Sequence, residues 1–320
     1  MPPDHDASAP SPAAADDAAQ APRAPELDLA GIVAQLKAVR SKWRGEQHRP
    51  LSGGRELPST EALAAVVAAL RAALFPMRLG PPDLRPENED YFVGHTLDLA
   101  LHALLAQVRL ELRYNARVAR DTATDVEPRA QEIVRAFGAA LPHIRELLDS
   151  DVLAAHRGDP AARSVDEVLV CYPGVHAVIH HRLAHQLYQL GVPLLARMVS
   201  ESAHGATGID IHPGARIGSH FFIDHGTGVV IGETAIIGSN VRIYQAVTLG
   251  AKRFVSEEDG QLRKGEARHP VVEDDVVIYA GATILGRVTI GRGSSIGGNV
   301  WLTRSVSPGS RITQADARHD

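Results

Sequence analysis

The chain has a single cysteine, Cys171, among its 320 residues, so it cannot form an internal disulfide framework. The apolar neighbours of Cys171 predict a small buried side chain. No apolar run reaches the ~20 residues that a membrane-spanning helix needs, and the N-terminus lacks the basic and apolar regions of a secretory signal. The net charge is −5, with acids and bases mixed along the chain, which is not typical of nucleic-acid binding. These absences predict a cytoplasmic protein that binds neither membranes nor nucleic acid.

Two segments precede the most regular part of the sequence. Residues 1–26 are rich in Ala, Pro and Asp, and they cannot bury enough apolar surface to offset the entropy of ordering, which predicts a disordered tail. Residues 27–206 show apolar side chains at helical spacing with capping residues such as Ser59 and punctuation at Gly158 and Pro160. We therefore expect an all-helical N-terminal domain over 27–206.

From Gly208 onward the apolar residues recur every six positions. The recurring aliphatic residues are Ile211, Ile217, Ile223, Val229, Ala235, Val241 and Val247, and after an interruption Val272, Ile278, Ile284, Ile290, Ile296 and Leu302. A period of six fits neither an amphipathic helix nor a simple hairpin, but it is typical of a hexapeptide β-helix whose coils bury a core by stacking. The sequence thus predicts an α+β protein, with the helical domain followed by a left-handed parallel β-helix over 207–308.

The repeat is interrupted once. Residues 252–269 are polar and charged without the sixfold pattern, which predicts a loop that leaves the coil, and long loops on rigid scaffolds often carry function. This loop ends in Arg268 and His269. A short polar tail over 309–320 is expected to follow the coil.

Titratable pairs stand out within the repeat. Asp210 with His212 and Asp224 with His225 lie among Ile, Val and Gly residues. Three hexapeptides make one coil of about 18 residues, so Asp210 is expected within reach of His225, fifteen positions later. A carboxylate beside an imidazole is the arrangement of a general base, whereas polar residues on the outside of a coil can also be solvated surface.

At these residues the sequence resembles serine O-acetyltransferase, a family of hexapeptide-repeat acyltransferases. The matching segments, in the family's order, are RGDPAA (157–162), DIHP (210–213), DHGTG (224–228), IGE (231–233), VTLGA (247–251), RHP (268–270) and YAGATILG (279–286). The resemblance covers about residues 150–305. It implies direct acetyl transfer from acetyl-CoA to the hydroxyl of L-serine, which is the first step of cysteine biosynthesis, with no metal.

The resemblance also implies roles for individual residues. His225 would take the proton of the serine hydroxyl while Asp210 orients its ring. Asp159 and Asp224 would bind the serine ammonium. The residues implied to bind the rest of the two substrates are Arg268 and His269 for serine, and Gly250, Ala251, Ala280, Gly281 and Ala282 for close approach to the pantetheine arm of acetyl-CoA. The family forms trimers, commonly paired into hexamers, and cysteine inhibits it at the serine site.

The chain also departs from the family pattern. Ala267 stands two positions before His269 where the familiar motif has Asp, and the segment after the coil is short and ends in Asp320. Family members that bind O-acetylserine sulfhydrylase use an extended tail ending in Ile, so we expect no such complex here.

Three other functions remain open from the residues alone. One is acetyl transfer to another small acceptor, although Asp159, Asp224 and Arg268 suit a zwitterion. A second is a γ-type zinc carbonic anhydrase, for which the candidate ligands are His212, His220, His225 and His269. The third is a non-catalytic scaffold, which leaves the Asp–His pairs without a purpose.

Overall fold

The computed structural model describes residues 27–46, 57–120, 125–252 and 265–317. The expected disordered tail and most of the expected loop 252–269 lie outside these ranges. Of these, residues 27–46 belong to one compact unit and the remaining ranges to another. In the first, helix α1 (Leu29–Glu46) carries several large apolar side chains that are exposed.

The second unit begins with helices, as the sequence predicts. They are α2 (Thr60–Leu74), α3 (Pro76–Leu79), α4 (Glu89–Ala119), α5 (Val126–Gly158), α6 (Val165–Cys171), α7 (Pro173–Gln189) and α8 (Pro193–Thr207), with a 3₁₀ turn at Pro86–Asn88. Ser59, Asp125 and Ser164 cap α2, α5 and α6 by accepting backbone N–H bonds. Gly208 ends α8 in the left-handed conformation that glycine adopts without strain. The chain then enters the coil.

The coil consists of short parallel strands. In chain order they are β1 (Asp210–Ile211), β2 (Arg216–Ile217), β3 (Phe222–Ile223), β4 (Val230–Ile231), β5 (Ile236–Ile237), β6 (Arg242–Ile243), β7 (Thr248–Gly250), β8 (Val271–Val272), β9 (Val277–Ile278), β10 (Thr283–Leu285), β11 (Thr289–Ile290), β12 (Ser295–Ile296), β13 (Trp301–Leu302) and β14 (Arg311–Ile312), followed by a short helix α9 (Gln314–Ala317). Up to β13, successive strands go to three different sheets in turn, and between β13 and β14 a single bridge of Val306 with Ile290 takes the place of a strand. This is the expected left-handed β-helix of hexapeptide repeats.

The three sheets are the flat sides of the coil. Sheet A has the order β1-β4-β7-β10-β13, sheet B has β11-β8-β5-β2, and sheet C has β14-β12-β9-β6-β3. The chain enters sheet A from sheet C and leaves it toward sheet B. Sheet C includes β14, which pairs with β12, so the coil continues beyond residue 308 into the expected tail.

The first coil is longer than expected. Asp210 pairs with Val230, twenty residues later, whereas Val230 pairs with Thr248, eighteen residues later. The two extra residues lie in the turn between β3 and β4, residues 224–229. Positions two apart in a strand point to the same side, and Val229 and Ile231 are both buried. An insertion of two residues therefore leaves a buried residue at the sixfold position, and the spacing continues through this turn. The wider turn is the segment that carries Asp224 and His225.

A buried ion pair joins the helices to the first coil. Arg182 of α7 donates to both carboxylate oxygens of Asp151 in α5, at 3.0 Å each, and to the carbonyl oxygens of Ile217 and Gly218, at 2.6 Å each. Asp151 also accepts the backbone N–H of Phe221 at 2.8 Å. Removing one partner would leave a buried charge uncompensated, which costs about 3–5 kcal/mol. The coil is thereby fixed in register against α5 and α7.

Two further expectations can be compared with the structure. Cys171 is exposed rather than buried, because it lies at the last turn of the short helix α6, away from the core. Among the described helices, none combines the length and the apolar character needed to cross a membrane.

Candidate active site

His225 lies in the wide turn at which the chain enters sheet A. Its backbone has φ 58°, a left-handed conformation that His tolerates better than most residues, and its side chain is 73% exposed. Gly226 follows with φ 93°, and a Cβ there would come within 2.5 Å of Ile209 Cδ1. The turn therefore keeps its backbone against the core and directs the imidazole outward.

Two carboxylates lie beside this imidazole. Asp224 Oδ1 is 3.9 Å from His225 Nε2, and Asp224 Oδ2 accepts a hydrogen bond from Arg242 of β6. Asp159, which ends α5, accepts the N–H of Ala161 at 2.8 Å and the hydroxyl of Tyr172. Residues Asp159, Tyr172, Asp224, His225 and Arg242 are called the corner cluster below.

The hydrogen bond between Tyr172 and Asp159 fixes the protonation of both groups. Donation by Tyr172, with smaller contributions from the Ala161 N–H and the charges of Arg242 and His225, lowers the pKa of Asp159. The same hydrogen bond raises the pKa of Tyr172 to about 12. Near neutral pH, Asp159 is thus a carboxylate and Tyr172 a donor.

A second set of polar residues lies where the chain leaves sheet A. Glu233, just after β4, accepts a hydrogen bond from Arg268 at 2.7 Å and another from the Tyr188 hydroxyl of α7 at 3.1 Å. These two donors lower the pKa of Glu233 against the opposing effect of burial, which is the largest single influence. Glu233 therefore holds Arg268 as an ion pair at the end of the loop.

His269 is held beside this ion pair. Its Nδ1 accepts the N–H of Thr234 at 3.1 Å and lies 2.9 Å from the Thr234 hydroxyl, and burial lowers the pKa of His269 to about 4. The ring is neutral near pH 7, and because Nδ1 is the acceptor, Nε2 carries the hydrogen. It packs on Gly232 so closely that a Cβ there would lie 2.0 Å from Cδ2. His269 presents a fixed Nε2–H donor.

His212 completes this second set, and Asp210 of β1 is grouped with it because its charge acts on His212. His212 Nδ1 accepts the N–H of Gly214 at 3.0 Å, and the ring lies edge-on to Tyr188. Burial lowers the pKa of His212, while the charges of Glu233 and Asp210 act in the opposite direction. Residues Asp210, His212, Glu233, Arg268 and His269 are called the edge cluster below.

The predicted site residues are thus divided between two places. The corner cluster contains Asp159, Asp224 and His225, and the edge cluster contains Asp210, Arg268 and His269. Within the described ranges, the carboxylate that the structure pairs with His225 is Asp224, and no ion pair joins His225 to Asp210. The expected pairing of Asp210 with His225 is not formed within one chain and stays a prediction.

The residues expected near the pantetheine arm show the same division. Gly250 ends β7 and Ala251 follows it on the edge side of sheet A, while Ala280, Gly281 and Ala282 form the turn on the corner side. Gly281 has φ 72°, and the side chain of Ala282 is fully buried in the coil. The Gly281 N–H and the carbonyls of Ala280 and Ala282 bond to neighbouring coils. For a pantetheine arm, this turn therefore provides space rather than free hydrogen-bonding groups.

One group of described side chains has the spacing of metal ligands. It consists of Glu201, His204 and Asp210, whose ligand atoms lie within 4.8 Å of one another. It contains one histidine and none of the four that the carbonic anhydrase hypothesis invokes. The structure therefore does not collect those four around a common point within the described part of the chain.

Sequence reasoning did not identify several residues that hold the site. Tyr172 and Tyr188 come from helices, and no local motif marks which helical side chain meets a distant turn. Arg242 occupies an ordinary outward strand position. Glu233 belongs to the IGE motif, and a lone carboxylate directly after a buried strand was the available signal. Thr234, beside it, carried no signal.

The parallel coil and the histidine-bearing turn define a hexapeptide-repeat transferase. A family model described as bacterial transferase hexapeptide (six repeats) matches residues 269–304. The plasmid serine acetyltransferase of Synechococcus elongatus is 60% identical over 267 residues, which cover 82% of this chain and 84% of that relative. The chain belongs to the serine acetyltransferase family.

Solved structures agree with this membership. Serine acetyltransferase 1 of Entamoeba histolytica, solved in complex with L-cysteine, is 36% identical with a TM-score of 0.67, covering 88% of this chain and 99% of that one. Soybean serine acetyltransferase, solved in complex with serine, is 29% identical with a TM-score of 0.50, covering 81% and 96%.

Proposed function

We propose that this chain transfers the acetyl group of acetyl-CoA to the hydroxyl of L-serine, with His225 as the general base. Serine O-acetylation in cysteine biosynthesis is the reaction of the family to which the chain belongs. The observation that carries the mechanism is an exposed imidazole whose Nε2 lies 3.9 Å from a carboxylate oxygen of Asp224. An unactivated hydroxyl attacks poorly near pH 7, and a positioned base typically contributes ~10²–10⁴-fold.

The corner cluster suits the amino end of serine. Asp224 lies beside the base and Asp159 is close enough to feel its charge, so an ammonium bound by both carboxylates would bring the adjacent hydroxyl to His225. Both carboxylates are held by donors from the protein, so the ligand does not have to order them. Their negative charge also favours the imidazolium that forms when His225 accepts the proton.

The edge cluster suits the carboxylate end. Arg268 is a planar donor that matches a carboxylate, and Glu233 holds it in place. His269 would donate from Nε2–H, either to the serine carboxylate or to the oxygen on which charge develops. L-Cysteine presents the same ammonium and carboxylate, so we expect it to compete for the same positions.

Because the two clusters lie on opposite sides of sheet A, we infer that one site is built from two copies of the chain. In a trimer of parallel coils, the corner of one copy faces the edge of the next. Asp210 of one copy would then orient His225 of its neighbour, which a single chain does not achieve. The small residues at both sides of sheet A would line the same groove, where acetyl-CoA would lie.

These groups account for each proton and bond of the reaction. The serine hydroxyl gives its proton to His225 Nε2, and its oxygen forms a bond to the acetyl carbon. The tetrahedral intermediate breaks the carbon–sulfur bond, and the imidazolium returns the proton to the departing thiolate. The products are O-acetyl-L-serine and coenzyme A.

The test is thiol release from acetyl-CoA with L-serine, measured for the wild type and for His225→Ala. We expect a loss of at least ~10²-fold in the variant. Unchanged turnover would remove His225 from its role. A panel of other small acceptors, measured in parallel, would identify a different substrate if one were preferred.

Mixed oligomers test the sharing of the site. His225→Ala and Arg268→Ala are co-expressed to form mixed trimers, and they are assayed at serine concentrations low enough that each variant alone has little activity. If each site takes its corner from one copy and its edge from the next, ~1/4 of the sites are intact, and activity returns to about that fraction. Sites contained in single chains would stay inactive in every mixture.

A further inference from the structure

We propose that Arg242 is a positioning residue for the acceptor amino acid: it holds one oxygen of Asp224 and leaves the other oxygen for the substrate ammonium. The inference rests on the proposed function, since it assigns Asp224 to the serine ammonium. It concerns a residue that contacts neither His225 nor the substrate position directly.

The contacts define which oxygen is held. The Nη2 of Arg242 donates to Asp224 Oδ2, whereas Oδ1 lies on the side of His225, 3.9 Å from Nε2. The residue Asp224 is 9% exposed, so its carboxylate has little contact with solvent. The hydrogen bond from Arg242 restricts rotation of the carboxylate, and it leaves Oδ1 as the oxygen nearer to the imidazole.

Arg242 is itself fixed by two aromatic rings. Its guanidinium carbon lies 5.0 Å from the ring centre of Phe222 and 4.6 Å from that of Tyr244, and Phe222 is its partner in the register of β3 with β6. Contacts of a guanidinium with ring faces are attractive. The buried Nε of Arg242 has no hydrogen-bond partner among the described residues, so the rings, rather than that nitrogen, set the orientation.

The same rings connect Arg242 to the other carboxylate. A Cβ at Gly158 would come within 2.8 Å of the Phe222 ring, so the end of α5 approaches this ring only because residue 158 is glycine. Asp159 follows directly, and the charge of Arg242 contributes to lowering the pKa of Asp159. Arg242 therefore acts on both carboxylates of the corner cluster.

The charges of the cluster give a reason for a cation at this position. Two carboxylates that share a site disfavour each other's ionisation unless a cation offsets one of them. Tyr172, a neutral donor, holds Asp159, while Arg242, a cation, holds Asp224. The set of two carboxylates and one guanidinium carries a net charge of about −1 near neutral pH, which matches one ammonium.

The first experiment separates binding from turnover. In Arg242→Gln we expect the KM for L-serine to rise by about 10-fold, while kcat and the KM for acetyl-CoA stay within about 3-fold of wild type. Arg242→Lys keeps the charge and should recover part of the loss. The matched control is Arg292→Gln, which removes an exposed arginine paired with Asp274 at 2.5 Å on another side of the coil and should change neither KM.

A double-mutant cycle tests whether Arg242 acts through Asp224. Asp224→Asn alone should raise the KM for serine, and adding Arg242→Gln to it should cause little further change, because the group that Arg242 positions is already altered. Thermal midpoints and elution volumes of all variants identify any that fail to fold or assemble. Arg242→Met provides a second substitution if Gln disturbs folding.

Each outcome has a distinct meaning. If Asp224→Asn leaves the KM for serine unchanged, the assignment of Asp224 in the proposed function fails, and this inference fails with it. If Asp224→Asn raises that KM but Arg242→Gln does not, the proposed function stands and the role of Arg242 is overturned. Additive effects of the two substitutions would also overturn it.

Discussion

The corner and edge clusters present their histidines in opposite ways. His225 has a left-handed backbone, and its side chain is 73% exposed. His269 is 7% exposed, with Nδ1 occupied by Thr234 and its ring packed on Gly232. An exposed imidazole can accept and return a proton, whereas a buried neutral imidazole can only donate a hydrogen bond from a fixed nitrogen.

The difference also appears in how the neighbouring charges are arranged. In the corner cluster the protein holds the carboxylates and leaves the histidine without a hydrogen-bond partner among the described residues. In the edge cluster the protein holds the histidine and the arginine. The corner is therefore suited to proton transfer and the edge to binding, and the roles can be tested separately.

The largest expected effect comes from His225→Asn. The loss of the base should lower kcat by ~10²–10⁴-fold. Asn tolerates the left-handed backbone at φ 58°, so the fold should retain its thermal midpoint. The measurements are thiol release with L-serine and thermal unfolding of the same preparation.

The matched control for this substitution is His220→Asn. His220 has φ 57° at another turn of the first coil, and its N–H binds Ser150. Activity within about 3-fold of wild type is expected there, because this turn lies outside both clusters. An equal loss in both variants would mean that the turn conformation, and not the imidazole, governs activity.

Gly232→Ala tests the edge cluster through its packing. A Cβ would lie 2.0 Å from His269 Cδ2 and 2.1 Å from Nε2, so the ring has to move. A displacement of about 1 Å near the reacting groups can cost ~10²-fold, and we expect a fall in kcat/KM for serine of about 10- to 100-fold. Gly94→Ala in α4, where nothing lies within 4 Å of the added carbon, should retain full activity. Wild-type kcat/KM in Gly232→Ala would show that the position of His269 is unimportant.

The sequence was sufficient to predict the coil because its core residues repeat. Ile223, Val241 and Ile284 are all buried, as the sixfold spacing requires. It was insufficient to predict the length of the first coil, because the two extra residues shift the strands by an even number. Side chains that point into the coil then still point inward, and the apolar pattern of the sequence does not reveal the two extra residues.

The two extra residues of the first coil also change where His225 lies relative to Asp210. An 18-residue coil suggested that the two meet within one chain, whereas Asp210 pairs with Val230 after twenty residues. The residue types at the site could be identified from motifs. Their division between two sides of sheet A could not be predicted, because the motifs do not show which turns precede the strands of sheet A and which follow them. The contacts of Tyr172 and Tyr188 come from helices distant in sequence.

Arg268→Lys tests the edge cluster as a binding element. Lysine keeps the charge but loses the planar fork that pairs with a carboxylate, and it fits Glu233 less well. We expect the KM for L-serine to rise by about 10-fold with kcat changed by less than about 3-fold. Steady-state kinetics with serine varied at saturating acetyl-CoA measure this. A loss confined to kcat would instead place Arg268 with the reacting atoms and remove the distinction between a binding edge and a proton-transferring corner.

The smallest effect concerns stability in acid. His269 has a native pKa of about 4 against an ordinary value of 6.5, because burial disfavours its charged form. Between these values the unfolded chain binds more protons at this residue, so its contribution favours folding above pH 6.5 and is lost as the pH falls toward 4. We expect the thermal midpoint to fall less steeply over this range in His269→Gln than in the wild type. A slope in His269→Gln equal to that of the wild type would contradict the buried, neutral state of this ring.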